Sequence, residues 1–508
     1  MPLYTIVSYT TVSCGRIGSE SMNRRSFLKA GAAAAALPIV SQARGFGLVV
    51  APPEVAVDPA ILQKLLEESA RSLGIVGAQL AVFDGEAVHE FATGLAVRER
   101  ELAVAPDTLF QIGSTTKVFN AAVVMALVDE GTLDLDEPVG SYLDGAALTS
   151  DQPPVDMTLR QLLSMSSGLD NGPYTDHGRG DDALGQYVAS LAGIPGIFEP
   201  GTAYGYSNAG TCVAGLAAQR VMGKNWETLL AERILEPLGL EHSANFAEDL
   251  LYHPVALGYS QTPATPEGRR VPFWGLPRSM APAGATLCCS AGDLVRFAAL
   301  FLRGGQSAEG RQVLSEKAVE AMQTPEIDMP ARVIAQKWCP GPYWKRWGGE
   351  VIYGHSGTNS GGSSLLLWCP SKGVAAATIS NVPSQGYPLA DRVFDTLFPE
   401  VFGIDKPETP TPDSVTPVEV DLERYVGRFE AVGSRFSFFA DGDRLMARSL
   451  GGGGVLESEL IPLGSDRFLP RDPAMGGNRG WDVAFWGDDG NGRATHYLNG
   501  VFAMRRSG

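Results

Sequence analysis

The chain has 508 residues and a formal net charge of −17, with 44% hydrophobic and 19% charged residues. This length is ample for two domains, and the composition is that of a globular protein. The acidic balance argues against a nucleic-acid partner, because proteins that bind the phosphate backbone carry basic surfaces. We interpret the charge as an acidic surface that keeps the protein dispersed in water.

Residues 1–43 are predicted to be an export signal. Arg24 and Arg25 open a charged region, residues 30–40 are small and apolar, and a small-residue cleavage site follows. The arginine pair is typical of twin-arginine signals, so we expect a periplasmic or secreted bacterial protein whose true start is Met22. The apolar stretch is too short to span a bilayer, which takes about 20 residues, and we expect no stable membrane insertion.

The cysteines and histidines indicate neither a disulfide framework nor a metal centre. An odd number of widely spaced cysteines remains beyond the signal, and the histidines form no HxH or HExxH group. We therefore expect no metal and no cofactor. The cysteines concerned are Cys212, Cys288, Cys289, Cys339 and Cys369.

Hydrophobic patterning predicts an α+β domain. Two alternating runs, residues 79–83 and 87–91, flank Asp84-Gly85 and predict a β-hairpin. The stretch 117–128 is apolar almost all round, which is typical of a buried helix. Strands at both ends with helices between them favour terminal strands that share one sheet. Further helices are predicted at 159–165, 209–221, 226–234 and 291–301, and strands at 363–368 and 374–380.

A proline-rich stretch near residue 406 predicts a linker between two domains. Beyond it, short strand patterns alternate with Asp-Gly and Gly-rich turns, which is typical of an all-β barrel-like domain. The predicted organisation is an export signal (1–43), a hydrolase domain (55–402), a linker (403–417) and a β-domain (418–508). The strands of the β-domain are predicted at 425–429, 436–440, 445–447, 467–469, 481–486 and 501–504.

Ser114 and Lys117 are the candidate catalytic pair. If Ser114 opens the buried helix, the i, i+3 spacing places Lys117 on the same face, one turn along. A lysine inside an apolar helix is driven towards its neutral form, which can take the serine proton. The S-x-x-K pattern is weak alone, since Ser26 and Lys29 of the export signal also match it.

Two further segments complete the candidate site. Tyr206-Ser207-Asn208 follows a Pro-Gly turn, and His355-Ser356-Gly357-Thr358 precedes an apolar strand whose backbone could hold a substrate. The Y-x-N pattern also has low specificity alone, because Tyr497-Leu498-Asn499 matches it in the β-domain.

Taken in order, these motifs resemble the serine β-lactamase and penicillin-binding-protein superfamily, in its class C and D-aminopeptidase/esterase branch. The resemblance covers roughly residues 60–400 and implies a β-lactamase/transpeptidase-like fold, with a C-terminal domain similar to the lipocalin-like domain of some relatives. It implies that Tyr206 carries protons and that Asn208 places the substrate amide. It also implies an oxyanion hole at the backbone N–H groups of Ser114 and Thr358, beside His355 and Gly357.

Two residues depart from the pattern of the family. His355 stands where many relatives have the lysine that grips a drug's carboxylate, and this lowers the expectation of efficient β-lactam hydrolysis. Met165 stands where relatives often carry histidine, a change that we interpret as lying behind the residues that touch substrate.

The predicted function is a serine hydrolase that cleaves a small amide or peptide through an acyl-enzyme on Ser114. The alternatives are a carboxylesterase with the same machinery, a β-lactamase, and a non-catalytic binder of peptidoglycan fragments. An α/β-hydrolase with Ser207 as nucleophile stays open as well, since Gly205–Ala209 is close to a nucleophile elbow. The expected partner is a small-molecule or short peptide substrate, and a homo-oligomer formed through the C-terminal domain is a further expectation.

Overall fold

A computed structural model describes residues 57–143, 156–262, 265–272, 275, 277–332, 334–451, 454–476 and 481–508. The predicted export signal and its start at Met22 lie outside these residues. In the part of the chain described, no helix is both long and apolar enough to cross a lipid bilayer.

Each of the five predicted helices has a counterpart in the described part of the chain, which contains four further helices that were not predicted, and several helices begin at a side-chain cap. Ser207, Ser290 and Ser315 each accept a hydrogen bond from a backbone N–H of the first turn, which satisfies an otherwise unpaired donor. The helices are α1 (Pro59–Ser72), α2 (Thr116–Asp129), α3 (Leu159–Leu163), α4 (Ala183–Ser190), α5 (Asn208–Met222), α6 (Trp226–Leu230), α7 (Ala291–Leu302), α8 (Glu316–Gln323) and α9 (Gly386–Thr396).

In the described part of the first 400 residues, the strands form one large antiparallel sheet and two small ones. The large sheet has the order β3-β2-β1-β14-β13-β12-β11-β10-β9, and the small ones are β4-β8-β5 and β6-β7. The strands are β1 (Gly77–Phe83), β2 (Val88–Val97), β3 (Leu102–Ala103), β4 (Phe110–Gln111), β5 (Ser243–Ala244), β6 (Tyr259–Thr262), β7 (Thr265–Arg270), β8 (Cys288–Cys289), β9 (Ile327–Asp328), β10 (Lys337–Trp338), β11 (Tyr343–Trp347), β12 (Glu350–Thr358), β13 (Ser363–Cys369) and β14 (Val374–Ser380).

The prediction that the terminal strands share a sheet is confirmed. β1 pairs with β14 from Ala78↔Ser380 to Phe83↔Ala375, and β1 and β2 form the predicted hairpin. Because successive side chains of a strand point to opposite faces, β1 contributes to two cores. Leu80 packs in the core that includes α1 and α9, whereas Ala81 packs in the core that includes α2 and α7. The predicted α+β class is therefore correct.

The C-terminal strands close into an eight-stranded antiparallel barrel, as the predicted β-domain required. Two of its strands, β18 (Gly454–Gly464) and β21 (His496–Asn499), have no counterpart among the predicted strands. β18 contains Pro462, and β21 coincides with the Y-x-N segment at Tyr497. The barrel strands are β15 (Gly427–Ala431), β16 (Ser434–Asp441), β17 (Arg444–Gly451), β18 (Gly454–Gly464), β19 (Arg467–Pro470), β20 (Val483–Trp486), β21 (His496–Asn499) and β22 (Phe502–Arg506).

Irregular chain joins the two parts of the molecule. Residues 403–421 form no helix or strand, and the first strand of the barrel begins at Gly427. Lys406 pairs with Asp391 at 2.9 Å and with Asp395 at 2.5 Å, which fastens the start of this stretch to α9. The domain boundaries at 55–402, 403–417 and 418–508 stay a prediction.

Candidate active site

Ser114 and Lys117 meet at the start of the buried helix α2. Ser114 lies in a 3-10 turn, Gly113–Thr115, directly before α2, rather than in the helix itself. Lys117 lies in the first turn of α2, and its Nζ is 3.1 Å from Ser114 Oγ. The same amine donates to the carbonyl oxygen of Ala283 at 2.6 Å. The one-turn spacing therefore brings the alcohol and the amine into hydrogen-bond contact.

The environment of Lys117 favours its neutral form. The side chain is 1% exposed, and its two hydrogen bonds go to an uncharged hydroxyl and an uncharged carbonyl. Burial lowers the pKa of Lys117 from 10.5 to about 7, because desolvation penalises the ammonium, with a small opposing effect from Cys212. The amine can therefore be a proton acceptor near neutral pH.

Tyr206 lies beside this pair. The centre of its ring is 4.8 Å from the Nζ of Lys117, and its ring packs edge-on against Trp338 at 5.9 Å. A cation over an aromatic face is stabilised, so this contact favours Lys117 after it has taken up a proton. The phenol is 7% exposed and belongs to the core that contains α9.

Asn208 opens α5 and is held by a loop that lines the same site. Its side-chain amide donates to the hydroxyl of Tyr174 at 2.9 Å, and its backbone N–H donates to Asn171 Oδ1 at 3.1 Å. Burial raises the pKa of the Tyr174 phenol, so that its hydroxyl stays neutral. The loop 170–182 thus positions Asn208 through two hydrogen bonds.

Ser207 caps the first turn of α5. Its Oγ accepts from the N–H of Gly210 at 2.8 Å as the N-cap of α5 and donates to the carbonyl of Asp170 at 2.8 Å. An α/β-hydrolase elbow needs a nucleophile after a strand of a largely parallel sheet, whereas every strand pair described in the large sheet here is antiparallel. The fold therefore excludes the α/β-hydrolase alternative.

His355 is buried in the wall of the site. It lies in β12, 2% exposed, with ring contacts to Trp338 at 5.5 Å, Tyr343 at 6.1 Å and Tyr206 at 6.2 Å. Its Nδ1 donates to the carbonyl of Ser356 at 2.7 Å, an assignment that follows because a carbonyl only accepts. Burial first, and Lys117 second, lower the pKa of His355 to about 3. The imidazole is therefore uncharged at neutral pH.

Gly357 permits β12 to approach the nucleophile. A Cβ at this position would lie 1.8 Å from the carbonyl oxygen of Ile112 and 2.8 Å from the backbone nitrogen of Ser114. Only glycine allows such an approach. The next residue, Thr358, lines one cavity with Ser114. That cavity is lined by Ser114, Tyr174, Asn208, Met280, Ala283, Gly284, Ala285 and Thr358.

The structure thus gathers Ser114, Lys117, Tyr206, Asn208 and the 355–358 segment in one place. Sequence reasoning did not identify Tyr174, Met280 or the carbonyl of Ala283. Tyr174 lies in a polar loop with no motif of its own, and the role of Ala283 depends on its backbone, which leaves no signature in a side chain. For the residues described, no cluster of three or more metal-ligating side chains is present.

Comparison with known proteins now identifies the family. A family model described as Beta-lactamase matches residues 62–397. The chain belongs to the beta-lactamase family. Penicillin-binding protein 4 of Amycolatopsis lactamdurans is 34% identical over 362 residues, which are 71% of this chain and 94% of that protein. The fold and these relatives place the chain in a superfamily of serine hydrolases.

Among solved structures, the match extends across the barrel. The crystal structure of SurE is similar with a TM-score of 0.72 and 28% identity, covering 88% of this chain and 99% of SurE. A second structure of SurE was determined with D-Leu. The D-amino acid amidase from Ochrobactrum anthropi SV3 in complex with D-phenylalanine is similar with a TM-score of 0.54 and 25% identity, covering 66% of this chain and 98% of the amidase.

A second family model, the twin-arginine translocation pathway signal sequence, matches residues 21–41. The expected twin-arginine export is therefore confirmed, and the protein is directed to the periplasm or the exterior.

Proposed function

We propose that the protein hydrolyses a small amide or peptide through an acyl-enzyme on Ser114, with Lys117 as the proton acceptor. The observation that carries the proposal is the 3.1 Å contact between the Nζ of Lys117 and Ser114 Oγ. Burial lowers the pKa of this amine to about 7. The carbonyl oxygen of Ala283 accepts a hydrogen bond from one N–H of the neutral amine. The lone pair of the amine nitrogen can then accept the serine proton.

In the first step, Ser114 Oγ attacks the carbonyl carbon of the substrate while its proton passes to Lys117. The oxygen of that carbonyl becomes negative, and the backbone N–H groups of Ser114 and Thr358 are the proposed donors to it. The carbon–nitrogen bond then breaks, and the proton leaves with the amine product. A water then attacks the ester carbon, and its proton passes through Tyr206, whose ring centre lies 4.8 Å from the Nζ of Lys117, to that amine. The bond between the carbon and Ser114 Oγ breaks, the acid product leaves, and the proton returns from Lys117 to Ser114 Oγ.

The chemistry of the cavity favours an acyl group with an apolar side chain. None of the described side chains that line it carries a charge at neutral pH, and Met280, Ala283 and Ala285 make part of it apolar. SurE was crystallised with D-Leu, and the Ochrobactrum anthropi enzyme, named a D-amino acid amidase, was crystallised with D-phenylalanine, L-phenylalanine and L-phenylalanine amide, all of which have apolar side chains. We infer that amides of apolar D-residues are the preferred substrates.

The same site is a poor match for β-lactam drugs. Their carboxylate needs a cation at the third motif, whereas His355 is buried and its pKa is about 3. A neutral histidine supplies no charge to hold that group. We therefore propose that β-lactam hydrolysis is slow relative to amide hydrolysis.

The test is a substrate panel on the mature protein: D- and L-phenylalanine p-nitroanilides and amides, p-nitrophenyl acetate and nitrocefin. We expect the D-anilide and D-amide to be turned over fastest and nitrocefin slowest. Higher kcat/KM for the ester than for any amide would favour the carboxylesterase alternative instead.

A fluorophosphonate probe supplies the second arm of the test. We expect it to label the native chain at Ser114 and to leave Ser114→Ala unlabelled, with Ser207→Ala labelled as the native chain is. Absence of labelling in the native chain would overturn the acyl-enzyme proposal and favour a non-catalytic binder.

A further inference from the structure

The last hairpin of the barrel contacts the backbone of Tyr206. β21 and β22 are joined through Gly500 and Val501, and the carbonyl of Val501 accepts a 3.0 Å hydrogen bond from the backbone N–H of Tyr206. The ring of Phe502 packs edge-on against the ring of Tyr206, with centres 5.8 Å apart and planes at 88°. The barrel therefore touches both the main chain and the side chain of this tyrosine.

The neighbours of Tyr206 are fixed from the other side. The N–H of Gly205 donates to the carbonyl of Met165 at 2.9 Å, and the N–H of Ser207 donates to Met165 Sδ at 3.4 Å. The backbone at Ser207 is extended, and in an extended chain neighbouring residues point in opposite directions. Tyr206 is consequently clamped between Met165 and the barrel hairpin.

Gly205 shows how tightly this clamp is closed. A Cβ added there would lie 2.9 Å from the Cβ of Ala503 in β22 and 2.8 Å from the ring of Phe198. Carbon atoms in ordinary contact are about 3.5–4.0 Å apart, so any larger residue at 205 would push the hairpin away.

A second turn of the barrel holds the same region. The N–H of Val432, between β15 and β16, donates to Asp170 Oδ2 at 2.9 Å. The carbonyl of that aspartate accepts from Ser207 Oγ at 2.8 Å. Asp170 is 5% exposed, so this contact is protected from water.

The interior of the barrel is occupied by its own aromatic side chains. Phe438 lies 4.9 Å from Phe485 and 4.7 Å from Tyr497, and Phe429 lies 5.5 Å from Phe485, ring centre to ring centre. These rings pack as a core. The contribution of the barrel to the site therefore comes from its outer hairpin rather than from a ligand held inside.

We propose that the barrel hairpin, residues 499–502, is a positioning element that holds the Tyr206 phenol beside Lys117. The inference rests on the proposed function, in which Tyr206 carries a proton. Phe502 and Val501 act through Tyr206 and are positioning residues. Their loss should lower turnover more than substrate affinity, because the cavity that binds substrate does not include them.

The experiment compares variants of the full-length mature chain with a p-nitroanilide substrate. Phe502→Ala removes the ring, Phe502→Tyr keeps it, and Gly205→Ala displaces the hairpin. Val455→Ala is the matched control, since Val455 is a barrel side chain that is 61% exposed. Rates are divided by the number of sites that the fluorophosphonate labels, so that unfolded protein does not count.

We expect Phe502→Ala and Gly205→Ala to lower kcat per labelled site roughly three- to tenfold, with KM within twofold and an altered pH profile of kcat. Phe502→Tyr should keep most of the activity, and Val455→Ala should resemble the native chain. Unchanged kcat per labelled site in Phe502→Ala, or an equal loss in Val455→Ala, would overturn the inference. Failure of the native chain to be labelled would instead overturn the proposed function.

Discussion

The ε-amine of Lys117 donates a 2.6 Å hydrogen bond to the carbonyl oxygen of Ala283, a residue 166 positions away in the chain. This bond orients the amine towards Ser114, and no carboxylate among the described residues pairs with the amine. An ion pair with a carboxylate would keep the amine protonated. A neutral carbonyl stabilises the ammonium form less, so burial lowers the pKa of Lys117. The contact therefore combines orientation with neutrality.

Lys117→Met is expected to lower kcat/KM by about 10²–10⁴, because the serine loses its proton acceptor. Lys345→Met is the matched control. Lys345 is also buried, with a pKa lowered to about 7 chiefly by burial, but it lies between Tyr343 and Trp347, outside the cavity lining. The measurement is kcat/KM of the two variants and the native chain with the same p-nitroanilide substrate. Equal losses in both would mean that removing a buried amine is enough to inactivate the protein.

Activity should rise with pH through about 7. The pKa of Lys117 is lowered to about 7, so the amine is protonated below this pH and cannot accept the serine proton. We expect kcat/KM to fall about tenfold per pH unit below pH 6 and to level off above pH 8. The check is a profile of kcat/KM from pH 5 to 9. A rate that is flat from pH 5 upwards would contradict a titrating Lys117.

Ser207→Ala should weaken folding while sparing the chemistry. The substitution removes the N-cap of α5, which costs about 0.5–2 kcal/mol, together with the bond to Asp170. Urea unfolding should show this loss, whereas Ser114→Ala should unfold much as the native chain does. Complete inactivity of a folded Ser207→Ala protein would contradict this assignment.

The acid stability of the protein should depend on His355. Its folded-state pKa of about 3 lies below its ordinary value of 6.5, so the unfolded state binds more protons between these limits. The free energy of unfolding contributed by this group is therefore lost as the pH falls from 6.5 towards 3, by an amount on the order of several kcal/mol.

Urea unfolding at pH 7 and pH 5 tests this expectation. His355→Gln should show a smaller drop between the two pH values than the native chain. His253→Gln is the control, because it also removes an imidazole but from a half-buried position. A drop of the same size in His355→Gln and the native chain would refute the assignment.

Tyr174→Phe should impair substrate binding. It removes the hydroxyl that accepts the side-chain amide of Asn208 and leaves that buried donor unpaired, at a cost of about 1–3 kcal/mol. We expect KM to rise roughly tenfold with labelling of Ser114 retained. Tyr187→Phe is the control, because the buried hydroxyl of Tyr187 has no hydrogen-bond partner within the described part of the chain. A KM unchanged in Tyr174→Phe would exclude this role.

The amino-acid sequence by itself determined the local features of this protein. Apolar periodicity predicted α2, α5 and α7, alternation around Asp84-Gly85 predicted the first hairpin, and the i, i+3 spacing predicted the contact of Ser114 with Lys117. Each depends on residues within a few turns of one another, where backbone geometry alone fixes which side chains meet.

The tertiary structure alone decided the charge state of His355 and the closure of the site around Tyr206. The neutrality of His355 comes from Trp338, Tyr343 and the burial around them, and the clamp on Tyr206 comes from a hairpin almost 300 residues further along the chain. Strand β21 contains a second match to the Y-x-N motif, because a three-residue pattern carries no information about the strands with which it will pair. Desolvation and long-range contact depend on how distant segments pack, and a local pattern does not encode that packing.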